Sequence, residues 1–449
     1  MRGKIAALAL GVASALVLSG CVASPQTPSG QDTGPQDITF WLIGNDTPQS
    51  LRDYLVGQYK QVNGGTLTIE EQTWGDIVTR LTTMLPDSAN TPDVTEIGNT
   101  QSPTFTNVGA FADITDMYSQ LGGDKLLQSF VEVGKVEGRN YTLPYYFGSR
   151  YMFYRKDVWA AAGLTAPPKT LAEFNQSVVA LTEQNPKAIA DFSGFFLGGQ
   201  DWRNGVSWIF ANGGELAKKG ANGQWTSTLS DPATVKGLTQ LQELQLKASK
   251  APSTAKDQSP WLYINDSDSI TDTAGAVTGS TTLAAGTIMA PGWAHWSIGD
   301  LTKNDAGRDV RQWNDDTFGV FALPGNDGKP APVFAGGSNI GISAASKHQA
   351  GSRELLTIIF SDTYQKMLGE QGLGPANKDH MSTLGTDQFA QALIDSASNS
   401  KLTPAAPGWA SVEASNRLEE FFQKVADGAD ITKLAKEYDD FITPMLNKK

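Results

Sequence analysis

The chain has 449 residues, 40% hydrophobic and 18% charged, a composition that excludes a disordered or fibrous protein and leaves room for two or three cores. Its formal charge is −12, or −14 once Arg2 and Lys4 leave with a leader, which argues against nucleic acid or an anionic membrane surface as a partner. The single Cys rules out an intramolecular disulfide, so the fold is held by packing alone.

Residues 1–20 read as a secretory leader. Arg2 and Lys4 supply the positive start, and Ile5 to Leu18 is apolar but short for a membrane span. It ends in Leu18-Ser19-Gly20-Cys21, which is similar to the bacterial lipoprotein box, in which the Cys becomes the lipidated first residue of the mature chain. Residues 21–37 are rich in Pro, Gln, Ser, Thr, Gly and Asp and read as a flexible tether.

From Ile38 strand and helix patterns alternate. Strands are expected over Ile38–Leu42, Leu67–Gln72 and Asp93–Ile97. Helices are expected over Gln49–Val62, with Leu51, Leu55 and Tyr59 on one face, and from an N-cap pair Thr73 and Asp76 to Pro86. This order predicts a parallel sheet in an α/β lobe, where ligands bind at the carboxyl ends of strands. The rule singles out Asn45 and Asp46 after the first strand and Asn99, Thr100 and Gln101 after the third.

The stretch Gly134–Pro168 then reads as a crossing between two sheets. A polar turn at Glu137–Asn140 is followed by Pro144, the aromatics Tyr145, Tyr146 and Phe147, then Gly148-Ser149 and a strand-like run Tyr151–Tyr154. Strand, Gly kink, strand is what a chain needs to leave one sheet for another, and aromatics there sit where two lobes face each other. Further on, Thr170 and Glu173 form a capping box for a helix to about Glu183, a strand is expected at Gly194–Leu197, and Gly198–Arg203 reads as a loop carrying Asp201, Trp202 and Arg203. Trp208–Ala211 leads into Asn212-Gly213-Gly214, and a long helix starts at Pro232. Strands are expected at Thr287–Met289, Phe318–Leu323 and Ile340–Ser343. Helices are expected near Ala350–Phe360, Asp362–Gln371, Thr386–Ser396, Trp409–Ala426 and Ile431–Leu446.

Enzyme motifs are scarce. The three His are far apart without metal-ligand spacing, there is no nucleophile elbow or phosphate loop, and Asp266-Ser267-Asp268 has Ile270 where a calcium loop needs an oxygen ligand. No metal and no cofactor is expected. Trp is abundant instead, with eleven residues. An indole displayed in a cleft offers a flat apolar face to the C–H face of a pyranose and an N–H for a hydroxyl. Trp74, Trp202, Trp293 and Trp409 are the candidates, each beside a loop or strand end. Trp293 is singled out because Pro291-Gly292 turn the chain just before it, and Trp296 is assigned to local core packing.

The chain resembles the family 1 extracellular solute-binding proteins of ABC importers, the sugar-binding, maltose-binding-protein-like type. The likeness covers about Ile38 to Leu446. It rests on Gly134-Lys135, Tyr141, Leu143-Pro144-Tyr145, Phe153 to Asp157, Ala162-Gly163-Leu164, Pro167 to Phe174, Pro92-Asp93-Val94, Asn212 to Leu216, Pro291-Gly292-Trp293, Gly336 to Ser343 and Glu370 to Pro375. The resemblance implies an α/β, two-lobe periplasmic-binding-protein-like fold with a hinge and a ligand cleft. One lobe is expected over 38–145 plus 336–375, the other over 146–335 plus 376–449. It implies a stacking role for Trp293, polar contacts from Asn45, Asp46 and Asn99–Gln101, and a cleft role for Arg150. Gly337, Ser338, Tyr145, Tyr146, Asp201, Trp202, Arg203, Asn212 and Trp409 complete the expected ligand-binding set. The loop Asn99–Gln101 is neutral here, whereas some members carry charge there, which leaves the sugar's identity open.

The expectation is therefore a lipid-anchored, extracytoplasmic, monomeric receptor, not an enzyme, that captures an oligosaccharide and hands it to an ABC permease. The alternatives are a receptor for another solute (a polyol, a glycerol phosphate or a metal chelate, the last disfavoured by scarce His) and a secreted polysaccharide-degrading enzyme. Cys21→Ser is expected to move the protein from the membrane pellet to the soluble fraction without changing ligand affinity, since stable anchoring takes two acyl chains; fractionation of cells followed by immunoblotting checks it.

Overall fold

The computed structural model describes residues 34–256, 259–265, 270–271, 277–279, 284–304, 307, 309–398 and 400–448. The leader, Cys21, the tether up to residue 33, Asp266-Ser267-Asp268 and part of the segment beyond it lie outside the described residues. Pro35–Lys449 makes one body.

The first hundred residues fold as their periodicity dictates. Strands Ile38–Ile43, Leu67–Gln72 and Val94–Gly98 run parallel, with the first between the other two, and helices Gln49–Val62 and Ile77–Met84 connect them. Leu51, Leu55 and Tyr59 are the buried face of the first helix, and the Tyr59 hydroxyl donates to the Gln36 carbonyl at 2.9 Å.

The crossing differs from its sequence expectation. It is one unbroken strand, Thr142–Arg155, not two strands with a kink. Its first half pairs antiparallel with the strand Ala335–Ile342, from Thr142 opposite Gly341 to Ser149 opposite Ala335. Its second half pairs with Thr287–Pro291 on one side and Phe318–Phe321 on the other. The register slips between Ser338, opposite Tyr146, and Asn339, opposite Pro144. A proline has no N–H to give a ladder and is tolerated inside a sheet at such a bulge. Ala335–Ile342 also pairs with Val94–Gly98, so the order is Thr287–Pro291, Thr142–Arg155, Ala335–Ile342, Val94–Gly98, Ile38–Ile43, Leu67–Gln72.

Separate cores form on the two halves. Phe40, Leu42, Leu55, Leu143, Tyr145, Ile340, Leu355 and Tyr364 pack on the parallel half. Trp159, Phe174, Trp202, Trp208, Leu238, Leu241, Trp409 and Phe421 fill the other, and Tyr151, Phe153, Ile288, Ala294 and Phe318 pack beneath the second set of strands.

Other departures have local causes. Gly194–Leu197 makes only isolated bridges, Ser193 to Ala285 and Phe196 to Ile288. Trp202 and Arg203 are not in a loop. They open the helix Trp202–Ala211, because the Asp201 carboxylate caps it by accepting from the Asn204 amide at 3.0 Å. The segment expected as one helix from Trp409 to Ala426 breaks into Trp409–Ala414 and Arg417–Ala426, since Asn416 takes a left-handed φ of 53° between them. Thr170 caps Leu171–Gln184 as expected, accepting from the Glu173 amide at 3.2 Å.

The helices Pro232–Ala248 and Trp202–Ala211 meet closely at Gly237, where an added Cβ would lie 2.5 Å from the Trp208 carbonyl oxygen and 2.7 Å from Ile209 Cα. Ala is the better helix former by about 1 kcal/mol, yet rigid backbone on the neighbouring helix has no way to yield. Gly237→Ala is expected to destabilise by roughly 1–3 kcal/mol, read as a lowered urea midpoint; an unchanged or raised midpoint would show that helix propensity wins.

Candidate functional site

Three groups of side chains hold most of the residues expected at the site. The first is built on the carboxyl ends of the parallel strands. The ring of Trp74 lies against Gly44 and Gly98, the residues just after the first strand and at the end of the third. A Cβ at Gly44 would fall 2.8 Å from the indole nitrogen, and one at Gly98 would fall 3.1 Å from the ring and 2.1 Å from Gln101 Oε1. Gly44 also holds a φ of +67°. The two glycines are what let the indole and Gln101 sit down on the strand ends. Trp74 keeps 41% of its surface exposed, so it shields the strand ends and still offers a face outward.

Asp46 stands beside it and accepts a hydrogen bond from the Tyr146 hydroxyl at 3.0 Å. Burial pushes its carboxyl above the usual range, while hydrogen bonding to Tyr146 and Trp74 works the other way. Asn45 is exposed at the same turn. Behind this rim lies Glu96, which the sequence reading did not single out. It is 1% exposed, one carboxylate oxygen accepts from the Ile43 amide at 2.9 Å, and the hydroxyls of Ser338 and Tyr146 lie beside the carboxyl. Burial pushes Glu96 up to about 8, opposed by the Ile43 amide and reinforced by the charge of Asp46. The only sequence signal was a Glu inside the apolar strand Val94–Gly98, all five residues of which are buried. Ser338 is buried across from Gly98 and Tyr146 in the ladder. Gly337, at φ +137°, gives its carbonyl to the Asn99 amide at 3.2 Å.

A second group forms around Thr100, Trp202, Arg203 and Trp409. Trp202 and Trp409 are each 1% exposed, with rings edge to face at 6.4 Å. Their burial corrects the expectation of displayed indoles: Asp201 caps Trp202 into a helix, and Trp409 closes the core beneath it. The Trp202 indole donates to Glu419 at 3.2 Å, and Arg203 covers the Trp202 ring at 4.5 Å and pairs with Glu413 at 3.7 Å. Burial raises the Glu413 carboxyl; Arg203 and Thr100 oppose this and Glu419 adds to it. Thr104 ties the two sides, donating to the Pro407 carbonyl at 3.0 Å and accepting from the Ala410 amide at 3.3 Å. Glu413 and Glu419 were also missed by sequence reasoning, since they lie on exposed-looking helices.

The third group is the short 3₁₀ turn Gly292–Ser297 at the end of the strand Thr287–Pro291. Trp293 is 48% exposed, its ring set edge to face on Trp261 at 4.8 Å. Trp296 was expected in the core and is instead 62% exposed. Ala294 and Ile298, both fully buried, are the residues that root the turn.

The remaining expected residues are Tyr145, Asn212, Arg150 and Asn99. Tyr145 is wholly buried, its hydroxyl between Tyr364 at 2.7 Å and Thr47 at 3.1 Å. Asn212 closes its helix by donating to the Trp208 carbonyl at 2.9 Å. Arg150, at the point where the crossing strand changes partners, lies over the Phe334 ring at 5.1 Å, and Asn99 donates to the Ala335 carbonyl at 3.2 Å. Among the described residues no cluster of three or more His, Cys, Asp or Glu is placed to hold a metal ion.

Two α/β halves joined by shared strands are the fold of the two-lobe periplasmic solute-binding proteins. The same fold is found in the sugar-binding protein MalE from Xanthomonas citri, with a TM-score of 0.71 at 18% identity over 92% of this chain and 97% of that one. It is found too in UgpB from Mycobacterium tuberculosis, solved with glycerophosphocholine, with a TM-score of 0.67 at 19% identity over 92% and 98%. The chain belongs to the bacterial extracellular solute-binding proteins, whose family model matches residues 55–392. Among curated relatives, the diacetylchitobiose binding protein DasA of Streptomyces coelicolor is 29% identical over 97% of both chains.

Glu96 gives the site a pH signature. Its folded pKa lies above the ordinary carboxyl value, so the native state binds more protons than the unfolded one between the two. That stability is fully present below about pH 4.5 and is lost as pH rises through about 8. Glu96→Gln keeps an acceptor for the Ile43 amide and is expected to flatten the fall in stability over this window, as read from urea midpoints at several pH values.

Proposed function

We propose that the chain is a lipid-anchored, extracytoplasmic receptor that captures an oligosaccharide between its lobes and delivers it to an ABC permease. The lobes are drawn as 38–145 with 336–375 and 146–335 with 376–449, hinged where Thr142–Arg155 and Ala335–Ile342 pass between them. The observation that carries the reading is the rim in which Trp74 packs on the strand ends, 41% exposed, beside the Asp46 carboxylate held by Tyr146. An apolar ring face next to a fixed acceptor is what a pyranose needs: stacking for its C–H face, hydrogen bonds for its hydroxyls.

Trp293, displayed by its turn, supplies a stacking face from the opposite lobe. A ligand that touches both faces closes the lobes by its differential affinity for the closed state. The relatives are binding proteins, and capture here involves no bond making. The carboxylates Asp46 and Glu419 oppose a phosphate-bearing solute, which favours a neutral sugar. Because DasA is a diacetylchitobiose binding protein of the same length, N-acetylated β-linked disaccharides are the first ligands to try.

A thermal-shift screen over neutral di- to tetrasaccharides is expected to find a ligand that stabilises by about 2.7 kcal/mol at 100 times its Kd. With that ligand, Trp293→Ala is expected to lose roughly 2–3 kcal/mol of binding, about 30- to 150-fold in Kd, with little change in the melting temperature of the free protein. A screen in which only phosphorylated or charged solutes shift the melt would sink the sugar reading.

A further inference from the structure

The turn that follows the first strand is held by a cation that local helix chemistry disfavours. Arg52 stands in the first turn of the helix Gln49–Val62, which has no acidic residue there and no side-chain cap. The unpaired amides at a helix start make that end positive, so a guanidinium in the first turn runs against the helix dipole. Conflicts of this kind between a residue and its own element gather at functional sites.

What holds Arg52 in place is the turn in front of it. Its Nε donates to the Thr47 carbonyl at 2.8 Å, one Nη donates to the Gly44 carbonyl at 3.4 Å, and the other pairs with Glu71 at 2.9 Å. Gly44 and Thr47 are the two ends of the turn that carries Asn45 and Asp46, and Glu71 belongs to the neighbouring strand Leu67–Gln72. A guanidinium is a planar fork, so its three contacts fix one another. The same two ends are tied elsewhere as well. The Gly44 amide donates to the Gln72 carbonyl at 2.7 Å. The Thr47 hydroxyl lies 3.1 Å from that of Tyr145, which meets the Tyr364 hydroxyl at 2.7 Å in the core. The Arg52 side chain is 15% exposed, whereas Asn45, between the two carbonyls it holds, is exposed. Beside it the Asp46 carboxylate is set by the Tyr146 hydroxyl at 3.0 Å.

We propose that Arg52 is a positioning residue for solute capture: by bracing both ends of the Gly44–Thr47 turn, it holds Asn45 and Asp46 in their binding arrangement before the ligand arrives. This rests on the reading above, in which that turn lines the ligand cleft. A turn ordered in advance does not have to be ordered on binding, so affinity rises without any new contact to the ligand. Lys in this place keeps the charge but lacks the fork that reaches two carbonyls and a carboxylate at once.

The test compares the wild type with Arg52→Gln and Arg52→Lys by calorimetric titration with diacetylchitobiose, by urea unfolding, and by amide nitrogen relaxation at Gly44 to Thr47. Arg52→Gln is expected to weaken binding about 10-fold. Its urea midpoint is expected to move little, because removing a cation from the helix start offsets the lost carbonyl bonds. Order parameters of the turn are expected to fall from the rigid-backbone value of about 0.85, while the rest of the lobe keeps its own. Arg52→Lys is expected to lie between Arg52→Gln and the wild type. Unchanged affinity in Arg52→Gln overturns the proposal. So does a fall in affinity matched by a lower urea midpoint and loosening throughout the lobe. A fall in affinity with the turn still rigid means that Arg52 touches the ligand directly, and the proposal is wrong. If diacetylchitobiose does not bind the wild type, that ligand reading fails, and the relaxation data decide the brace by themselves: a loosened turn upholds it and a rigid one overturns it.

Discussion

Everything in this protein hangs from the backbone hydrogen bonds of one strand. Thr142–Arg155 spends its first half paired with Ala335–Ile342 and its second half between Thr287–Pro291 and Phe318–Phe321. A buried amide left unpaired is expensive, so both sets of partners are obligatory. A slip of one residue would turn Leu143 and Tyr145 out of one core and Phe153 out of another. The single irregularity falls at Pro144, the residue that cannot donate. Immediately after it, Tyr145 enters the core and Tyr146 reaches Asp46. The same strand thus sets the register of two half-sheets and delivers a side chain to the cleft between them.

Burial decides the chemistry of that cleft more than charge count does. The protein is already strongly acidic, yet it keeps carboxyl groups at Asp46, Glu96 and Glu413 in surroundings that raise each of them. Glu96 is the extreme, wholly buried and accepting from the Ile43 amide. A protonated carboxyl there donates as well as accepts, so the hydrogen-bonding character of the rim depends on a proton held by burial. The tryptophans are sorted in the same way. Trp202 and Trp409 are consumed by packing, whereas Trp74 and Trp293 hold their faces out because glycines or a clamped turn stand beneath them.

How much of this was legible in the sequence follows from range. The α/β order, the helix Gln49–Val62 to its ends, and the strand Leu67–Gln72 were readable because local periodicity reports which face is buried. Asp46 was singled out because it follows the first strand, and Trp74 because it starts the helix after the second. Glu96 was hidden because a lone acid in an apolar strand does not announce what lies beside it. Glu413 and Glu419 were hidden because they meet Arg203 and Trp202 from more than two hundred residues away.

The sequence by itself determined the class of fold and the place of the crossing, since each depends on residues that are neighbours along the chain. Only the tertiary structure decided that the crossing is a single strand and that Tyr145, Trp202 and Trp409 are core. It alone showed that Trp296, assigned to packing, faces out with Trp293. Those outcomes turn on which atoms from distant segments fill the space around a side chain, a quantity that periodicity along one segment does not contain.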